Sequence, residues 1–171
     1  MREIICFHNP GEPNGYLSNW YPSVFRLGGV EYASMEQYIM YQKAILFQDV
    51  EMARQILVTE KPGAIKALGR GVQNYNDAVW SGQRQIIVYQ GLLEKFRQNK
   101  ALKKQLLTTG ESILAECAVR DKIWGIGLSM KDPRRFDLNA WQGQNLLGFS
   151  LMCVRTALGE EKETFETYLP D

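Results

Sequence analysis

SMEQYIMYQKAILF, residues 34–47, is the stretch that decides the fold. Ser34 followed by Gln37 has the form of a capping box, in which the serine hydroxyl accepts from the third helical N–H and the glutamine reaches back. A helix is therefore predicted from Ser34 to about Phe47. Its circumference is apolar nearly all round, and such a helix is normally buried. The stretch thus predicts a buried helix with a carboxylate, Glu36, in its first turn.

Length and composition set the class of protein. The 171 residues fit a single domain over 1–171, long enough to bury a core and a pocket. Apolar residues make up 45% and charged residues 23%, which excludes a disordered chain, and the net charge of +1 argues against a broad nucleic-acid surface. No apolar stretch near the N-terminus is long enough for a signal peptide or a membrane span, so we expect a cytoplasmic protein without a membrane partner.

Cysteine and histidine usage narrows the chemistry. Cys6, Cys117 and Cys153 are odd in number and lie in apolar runs, so reduced, buried thiols are expected. The chain has one histidine, His8, and no Cys-x-x-Cys, which leaves no recognisable transition-metal ligand set. A Ser/His/Asp triad would have to be built around that one imidazole, so we set it aside. We expect neither a metal nor another cofactor.

The remaining pattern is typical of an α+β fold that is mainly helical and has a small β-sheet. Strands are predicted over residues 3–7 and 112–118, and a hairpin over 24–32, where Gly28 and Gly29 supply the positive φ of a tight turn. Further helices are predicted over about residues 49–58, 62–70, 77–97, 101–108 and 145–158.

Three longer segments carry separate expectations. The helix over 77–97 is expected to be the longest, and residues 159–171 are expected to form an acidic tail that lies on the surface or frays. Residues 120–144 show no sustained periodicity, and a long irregular stretch in a compact domain usually carries function.

Glu36 and Lys43 share one face of the predicted helix. They are seven residues apart, which on an α-helix is about 20° short of two full turns and about 10.5 Å along the axis. Helical side chains lean toward the N-terminus, so the Lys43 ammonium is carried back toward Glu36, and both are able to line one small pocket. Burial raises the pKa of a carboxyl group and lowers that of an ammonium unless the two pair, and either outcome suits acid–base chemistry.

Structural roles compete with this interpretation. A glutamate in the first turn of a helix favours the macrodipole, and Lys43 is able to extend to water. In the same way, Asn145 is more often an N-cap, and Arg155 is more often a surface charge that ends an apolar helix. Pattern alone favours these structural roles.

The loop Asp121–Gly127, with the sequence DKIWGIG, follows a predicted strand. Trp124 is able to stack on a planar base, the glycines let backbone N–H groups approach a phosphate, and Asp121 is suited to orient a ribose or to accept a proton. The structural alternative makes Trp124 a core residue and makes Gly125 and Gly127 turn formers.

Two weaker patterns lie on or beside the longest predicted helix. Trp80 and Arg84 are four residues apart on one helix face, a spacing that pairs base stacking with phosphate contact. A basic run at Lys95–Lys100, with Lys103 and Lys104, suits a nucleic-acid backbone, although such a helix end is usually a solvated face.

Several short motifs occur in a fixed order across about residues 5–157. They are Leu17-Ser18-Asn19-Trp20, Ser34-Met35-Glu36-Gln37-Tyr38 through Gln42-Lys43-Ala44, Trp80 with Arg84, Lys95-Phe96, Asp121-x-x-Trp124-Gly125-x-Gly127, and Gly143-x-Asn145-x-x-Gly148 through Met152 and Arg155. Taken together, they resemble the NADAR or YbiA-like family. Each motif is weak alone, and the ordered set is strong.

The resemblance implies one mainly helical α+β domain and cleavage of the bond between a ribose C1 and an amine or base nitrogen. Two substrate types are associated with such proteins. One is the ribosylamino-pyrimidine phosphates of the early riboflavin pathway, and the other is ADP-ribose attached to guanine. The expected partner is therefore a small ribosyl phosphate or ADP-ribosyl molecule, and nucleic acid is expected only as a modified substrate.

The resemblance also implies the site residues. Glu36 would be the central carboxylate, with Lys43 on the same matched helix and Asp121 as a further catalytic group. The implied substrate-binding residues are Asn19, Trp80, Arg84, Trp124, Gly125, Gly127 and Asn145. The insert at residues 129–137 is longer than in the shortest relatives and is expected to shape a larger or different substrate site.

Cleavage of a ribosyl C–N bond builds positive charge on the sugar, which a nearby carboxylate stabilises while an acid protonates the departing nitrogen. We hypothesise that Glu36 stabilises the positive charge on the sugar or activates water, and that Asp121 assists proton transfer. Alternatively, Lys43 forms a Schiff base with the ring-opened sugar.

A rival hypothesis from another class is a nucleotide or nucleic-acid binding module without catalysis. It uses Trp80, Trp124 and the basic run between residues 95 and 104. Tight, salt-dependent binding without product release would distinguish it from an enzyme.

Overall fold

The computed structural model describes residues 2–167, with side chains to residue 161. In chain order the elements are β1 Ile4–Phe7, β2 Phe25–Leu27, β3 Val30–Tyr32, α1 Met35–Leu46, α2 Val50–Leu57, α3 Pro62–Arg70, α4 Asp77–Gln98, α5 Lys100–Thr108, β4 Ile113–Glu116 and α6 Leu146–Thr167. Short 3-10 helices lie at Gly15–Leu17, Pro133–Phe136 and Leu138–Ala140. The predicted α+β class with more helix than strand is confirmed.

The chain divides into two compact units. One contains the segment up to Ser18 and the segment from Lys100 onward, and the other contains Asn19–Asn99. The assignment of one domain to residues 1–171 stays a prediction. Within the described range, no helix is long and apolar enough to cross a membrane.

The start of α1 follows the predicted capping box with one difference. Ser34 Oγ accepts the N–H of Gln37 at 3.3 Å, while Gln37 Oε1 accepts the N–H of Ala33, one residue before the cap, at 2.8 Å. The Gln37 Nε2 donates across to the end of α2, where it lies 3.1–3.2 Å from the carbonyl oxygens of Ile56, Leu57 and Thr59. Carbonyls at a helix end lack α-helical partners, so a buried glutamine joins the start of α1 to the end of α2.

Burial of α1 is complete only in its first part. Met35, Glu36, Gln37, Tyr38 and Ile39 are all buried. The prediction of a helix buried all round is wrong for its second half, since Ile45 is 41% exposed. The apolar circumference therefore continues past the point where neighbouring elements cover it.

The Asn19–Asn99 unit packs α4 closely against α1 at Gly91. A Cβ added at this position would lie 2.3 Å from Tyr38 Cε1 and 2.9 Å from Met35 Cε. Nearby, the Tyr38 ring meets those of Phe25 and Tyr32 at centroid distances of 5.8 and 5.1 Å. The predicted hairpin is confirmed as the antiparallel pair β2–β3. Its aromatic side chains pack against Tyr38 of α1.

The other unit is organised by a parallel pair of strands. β1 and β4 align from Ile4 opposite Ile113 to Phe7 opposite Glu116. The buried core beside them contains Cys6, Ala115, Cys117, Ile126 and Leu128. Because the strands are parallel, their carboxyl ends lie at the same edge, and ligands commonly bind at such an edge.

α6 differs from two of the expectations, which concerned where it ends and which helix is the longest. It continues to Thr167 instead of ending near Leu158, so part of the predicted tail over 159–171 is helical, and with 22 residues α6 equals α4 in length. Residues 168–171 lie outside the described residues. The segment after Leu158 is rich in Glu and Lys, and these residues favour helix while keeping the charge that suggested a tail.

The cysteines are reduced, and two of the three are buried as predicted. Cys153 is exposed, so the prediction of burial is wrong at that position. The buried residues of α6 recur at helical spacing, at Leu147, Leu151, Val154 and Leu158. Cys153 falls on the opposite face of the helix, and its apolar neighbours in sequence gave no sign of this.

We expect Gly91→Ala to lower the free energy of unfolding by about 1–3 kcal/mol, because its methyl group would overlap Tyr38 and Met35. Gly82→Ala is the matched control in the same helix, since a Cβ there has nothing within 4 Å, and it should gain about 0.5–1 kcal/mol. Urea denaturation measures both changes. Equal stability of the two variants would contradict the close approach of α4 to α1.

Candidate functional site

Glu36 is a buried carboxylate, 5% exposed, in the first turn of α1. Its Oε2 accepts the indole N–H of Trp20 at 3.2 Å, and its backbone N–H donates to the carbonyl of Asn19 at 2.9 Å. The Asn19-Trp20 segment is thus fastened to α1 through both main chain and side chain. Burying a carboxylate is costly without hydrogen bonds, so these contacts define where Glu36 lies.

Asn19 contributes an unsatisfied acceptor. Its Oδ1 is buried and has no hydrogen-bond partner among residues 2–167. Buried polar atoms in folded proteins are nearly always hydrogen-bonded, and an exception asks for a functional explanation. A ligand hydroxyl or amine would satisfy this oxygen, which belongs to the same residue whose carbonyl accepts the Glu36 backbone N–H.

Lys43 lies two turns farther along α1. Its Nζ donates to the carbonyl oxygen of Gly69 at 2.7 Å and stands 4.3 Å from the centroid of the Tyr75 ring. Burial lowers the pKa of Lys43. The amine is therefore held at a defined point in the Asn19–Asn99 unit.

Arg84 and Trp80 lie on α4, as the sequence predicts. Trp80 is buried, and the Arg84 Nε is buried without a hydrogen-bond partner in the described part of the chain. The Tyr75 hydroxyl donates to Asp77 Oδ1 at 2.7 Å; burial and Asp77 raise the pKa of Tyr75, and the positive charge of Arg84 opposes them. The positive charges of Arg84 and Lys43 thus both interact with Tyr75.

The loop Asp121–Gly127 is stabilised from within. Asp121 Oδ1 accepts the N–H groups of Ile123 and Trp124 at 3.2 and 2.9 Å. Gly127 has a φ of +74°, and a Cβ at Gly125 would lie 2.8 Å from the Glu116 carbonyl oxygen. One carboxylate oxygen of Asp121 therefore shapes the loop, and its part in proton transfer stays a prediction. Trp124 is half-buried.

Asn145 precedes α6, but its side chain does not cap the helix. It is 0% exposed; its Oδ1 accepts the N–H of Glu116 at 3.0 Å, and its Nδ2 donates to the carbonyl of Leu114 at 2.8 Å. Its φ of +53° differs from the extended φ of an N-cap. A Cβ at Gly148 would lie 2.0 Å from the same Leu114 oxygen, so the glycine permits α6 to lie directly on β4. Asn145 therefore fixes the end of β4.

One pair of residues was missed by the sequence prediction. His8 Nδ1 lies 2.6 Å from Glu116 Oε1, and their side chains are 39% and 8% exposed. The only signal was an acid at the end of an apolar strand, and no local pattern connects it with a residue 108 positions away. The pairing follows from the register of β1 and β4.

The basic run is a solvated face only in part, with Arg97, Lys100 and Lys104 exposed. Lys95 is 0% exposed, and burial lowers its pKa to about 7. Arg97 pairs with Glu94, and Lys103 Nζ lies 3.7 Å from a carboxylate oxygen of Glu161. The expectation of a solvated face is wrong at Lys95, because that side of α4 faces the core.

The insert at residues 129–137 contains one 3-10 turn, Pro133–Phe136. Asp132 binds the Arg134 guanidinium at 2.7 Å, and Phe136 is 53% exposed. Its influence on the shape of a substrate site stays a prediction.

Comparison with known proteins identifies the family. The model of the NADAR domain matches residues 6–159. The chain belongs to the NADAR family. An N-glycosidase of Acanthamoeba polyphaga mimivirus is 43% identical to it over 161 residues, which cover 90% of this chain and 95% of the viral protein.

Two further relatives extend the comparison of this NADAR protein. A riboflavin biosynthesis protein of Vibrio vulnificus is 33% identical over 160 residues, which cover 94% of this chain and 40% of that longer protein. The NMR structure of the E. coli protein YbiA has a TM-score of 0.78 and 26% identity, over 95% of this chain and 88% of YbiA. The resemblance found in the motifs is thereby confirmed.

We expect Asn145→Gly to destabilise the NADAR domain by about 2–4 kcal/mol, because it leaves the buried N–H of Glu116 and the carbonyl of Leu114 unpaired. Glycine adopts a positive φ without strain, so the loss of stability measures the contribution of the Asn145 side-chain amide. Asn74→Gly is the control, since Asn74 has a φ of +55° and is exposed. Chemical denaturation of both variants gives the comparison, and similar stabilities would refute the structural role of the Asn145 amide.

Proposed function

We propose that this NADAR-family protein is an N-glycosidase that hydrolyses the bond between a ribose C1 and nitrogen in a ribosylamino-pyrimidine phosphate. The observation that carries the proposal is the buried carboxylate of Glu36, oriented by the indole of Trp20. Relatives named N-glycosidase and riboflavin biosynthesis protein support the activity and the substrate class.

Glu36 is suited to stabilise the transition state. As the C1–N bond breaks, positive charge develops on the sugar, and a carboxylate nearby lowers the free energy of that state. Coulombic attraction is stronger in a buried site than in water. The Trp20 N–H binds the Oε2 atom of Glu36 and so helps to orient the carboxylate. The buried Asn19 Oδ1 offers an acceptor for a ribose hydroxyl.

Arg84 is the residue best suited to bind the substrate phosphate. Its Nε is a buried donor that lacks a partner in the described range, and a guanidinium binds phosphate through paired N–H groups. A free phosphoryl group on the ribose would satisfy that donor. The nearby Tyr75 ring is 43% exposed and offers an aromatic surface beside it.

Lys43 provides a second route, favoured by its lowered pKa. A larger fraction of its side chain is neutral amine than in an exposed lysine, and the neutral amine is the nucleophile. It would add to C1 of the ring-opened sugar and displace the pyrimidine amine, which leaves a Schiff base. Water then hydrolyses the Schiff base and restores both the lysine and a sugar aldehyde.

The basic run offers only Lys100 and Lys104 as exposed lysines, which favours a small substrate over ADP-ribose on guanine in nucleic acid. A nucleic-acid strand is gripped by exposed Lys and Arg, and Lys95 is buried while Arg97 and Lys103 each pair with a glutamate. The same observation weighs against a binding module without catalysis.

Purified protein should release ribose 5-phosphate from a ribosylamino-pyrimidine phosphate. We expect Glu36→Gln to reduce kcat by roughly 10²–10³-fold with near-normal folding, because the amide removes the charge and little volume. Glu51→Gln, an exposed carboxylate on α2, is the matched control and should keep wild-type rates. Full activity of Glu36→Gln would remove Glu36 from the mechanism. Release of ADP-ribose from modified guanine, and not of ribose 5-phosphate, would replace the substrate assignment.

Borohydride added during turnover should trap a sugar phosphate on Lys43, detectable by mass spectrometry of the digested protein. Lys43→Arg keeps the positive charge but should lose the adduct, because a guanidinium does not form a Schiff base. Lys61→Arg, an exposed position before α3, should keep it. Turnover without a trapped lysine adduct would leave the direct hydrolysis at Glu36 as the route.

A further inference from the structure

Tyr75 lies in the loop between α3 and α4 and is 43% exposed. It is the one exposed aromatic residue of the Asn19–Asn99 unit, every residue of which the structure describes. Trp80, a stacking residue suggested by the sequence, is only 7% exposed, so little of its indole is open to a ligand. The most open aromatic surface of this unit is therefore the ring of Tyr75.

Three contacts hold the Tyr75 ring in one orientation. Its hydroxyl donates to Asp77 Oδ1 at 2.7 Å. The Lys43 ammonium nitrogen lies over the ring, 4.3 Å from its centroid. The Phe47 ring lies 5.3 Å away between centroids, and the two ring planes are inclined at 67°. A ring that is ordered before a ligand arrives loses little conformational entropy on binding, and such preorganisation increases affinity.

The contacts of the ring leave one side of it open. Lys43 lies in the last turn of α1 and Phe47 immediately follows that helix, so both contact the ring from α1. The exposed surface of Tyr75 lies on the side that these two residues leave uncovered. The ammonium attracts the π electrons toward the covered side, which makes the open side less negative. Such a surface stacks favourably on an electron-rich planar ring.

Arg84 is close enough for its charge to act on this tyrosine. Burial and Asp77 raise the pKa of Tyr75, and the positive charge of Arg84 opposes that rise. The buried Arg84 Nε is the donor proposed for the substrate phosphate. In a β-ribosyl 5-phosphate, the group on C1 and the carbon that carries the phosphate project from the same face of the ribose. The base and the phosphate of one substrate are therefore able to contact neighbouring residues.

We propose that Tyr75 stacks on the pyrimidine of the substrate, and that Asp77 is the positioning residue of its ring. This inference rests on the proposed N-glycosidase activity and names the side chain that recognises the leaving group. Tyr75 thereby favours substrates whose departing nitrogen is carried by a planar aminopyrimidine over ribosylamines with an aliphatic substituent. Its role is in binding and specificity, because the ring takes no part in breaking the C1–N bond.

The first measurement compares two stable ligands by titration calorimetry. Cytidine 5′-monophosphate carries an amino-substituted pyrimidine, and ribose 5-phosphate is the same sugar phosphate without a base. An aromatic side chain that stacks on a base increases affinity roughly 5–150-fold. We expect the wild-type protein to bind cytidine 5′-monophosphate more tightly than ribose 5-phosphate by a factor in that range. Equal affinities, or no binding of cytidine 5′-monophosphate, would overturn the proposal.

The same titrations on variants assign the preference to the ring. Tyr75→Leu should remove the preference for cytidine 5′-monophosphate and leave the affinity for ribose 5-phosphate unchanged. Tyr75→Phe keeps the ring and should retain most of the preference, and Asp77→Ala should weaken it less than Tyr75→Leu does. Val79→Leu, at a position on α4 that is 45% exposed, is the control and should bind both ligands like the wild type. An equal loss of affinity for both ligands in Tyr75→Leu would make the role of Tyr75 structural and contradict stacking.

The ligand signals in proton NMR detect the stack directly. An aromatic ring shields protons that lie above its face, so the signals of the cytosine ring protons should move upfield when the wild-type protein or Tyr75→Phe binds the nucleotide. In Tyr75→Leu that upfield shift should be lost. The same shift in Tyr75→Leu as in the wild type would place the base on another residue.

Kinetics separate this inference from the proposed function. With a ribosylamino-pyrimidine phosphate, Tyr75→Leu should raise KM and leave kcat close to that of the wild type, because stacking is present in both the ground state and the transition state. A loss confined to kcat would contradict a binding role. If the wild-type protein releases no ribose 5-phosphate, the N-glycosidase proposal fails. The titrations with cytidine 5′-monophosphate still decide separately whether Tyr75 stacks on a base.

Discussion

The buried amide of Gln37 is the interaction on which the site-bearing end of α1 depends. It accepts from the backbone before the helix and donates to carbonyls at the end of α2, so one side chain satisfies polar groups of two elements. Losing such a partner in a buried setting costs about 1–3 kcal/mol for each group left unpaired. Glu36 is the adjacent residue, so the contacts that join the two helices also fix its backbone position. Rigid placement of a charge is what electrostatic stabilisation of a transition state requires.

The direction of α1 also suits its two chemical groups. Glu36 stands in the first turn and Lys43 in the last turn. The partial positive charge at a helix N-terminus favours an anion, and the partial negative charge at the C-terminus favours a cation. The macrodipole, which made Glu36 look ordinary in the sequence, thus also stabilises the charge of that residue in a site.

Local rules predicted most of the fold. The Ser34 cap, the Gly28-Gly29 turn and the helix after Asn76 each depend on a few adjacent residues, and each lies where the sequence places it. The sequence did not predict the exposure of Cys153 or the burial of Lys95. Which face of a helix is buried depends on the elements that pack against it, and these are distant in sequence. Charge alone does not reveal which lysine of a basic run faces the core.

The candidate site shows the same limit. The placement of Glu36 and Lys43 on one helix was predictable, whereas the contact of Lys43 with Tyr75 and the pairing of His8 with Glu116 depend on tertiary structure. Asn145 was found through its motif, but its hydrogen bonds to β4 required the strand to be in place. Family motifs therefore identified positions, and the structure supplied what each side chain touches.

The parallel pairing of β1 with β4 has a consequence for how the chain folds during synthesis. The Asn19–Asn99 unit is continuous in sequence, and continuous units generally fold in order during synthesis. β1 is made first but must wait for β4, which is translated only after that whole unit. During this interval Cys6 and Phe7, both buried in the finished protein, belong to a strand without its partner. An exposed apolar strand edge promotes aggregation. Slow translation or truncation before β4 prolongs the time during which β1 has no partner, and so favours aggregation.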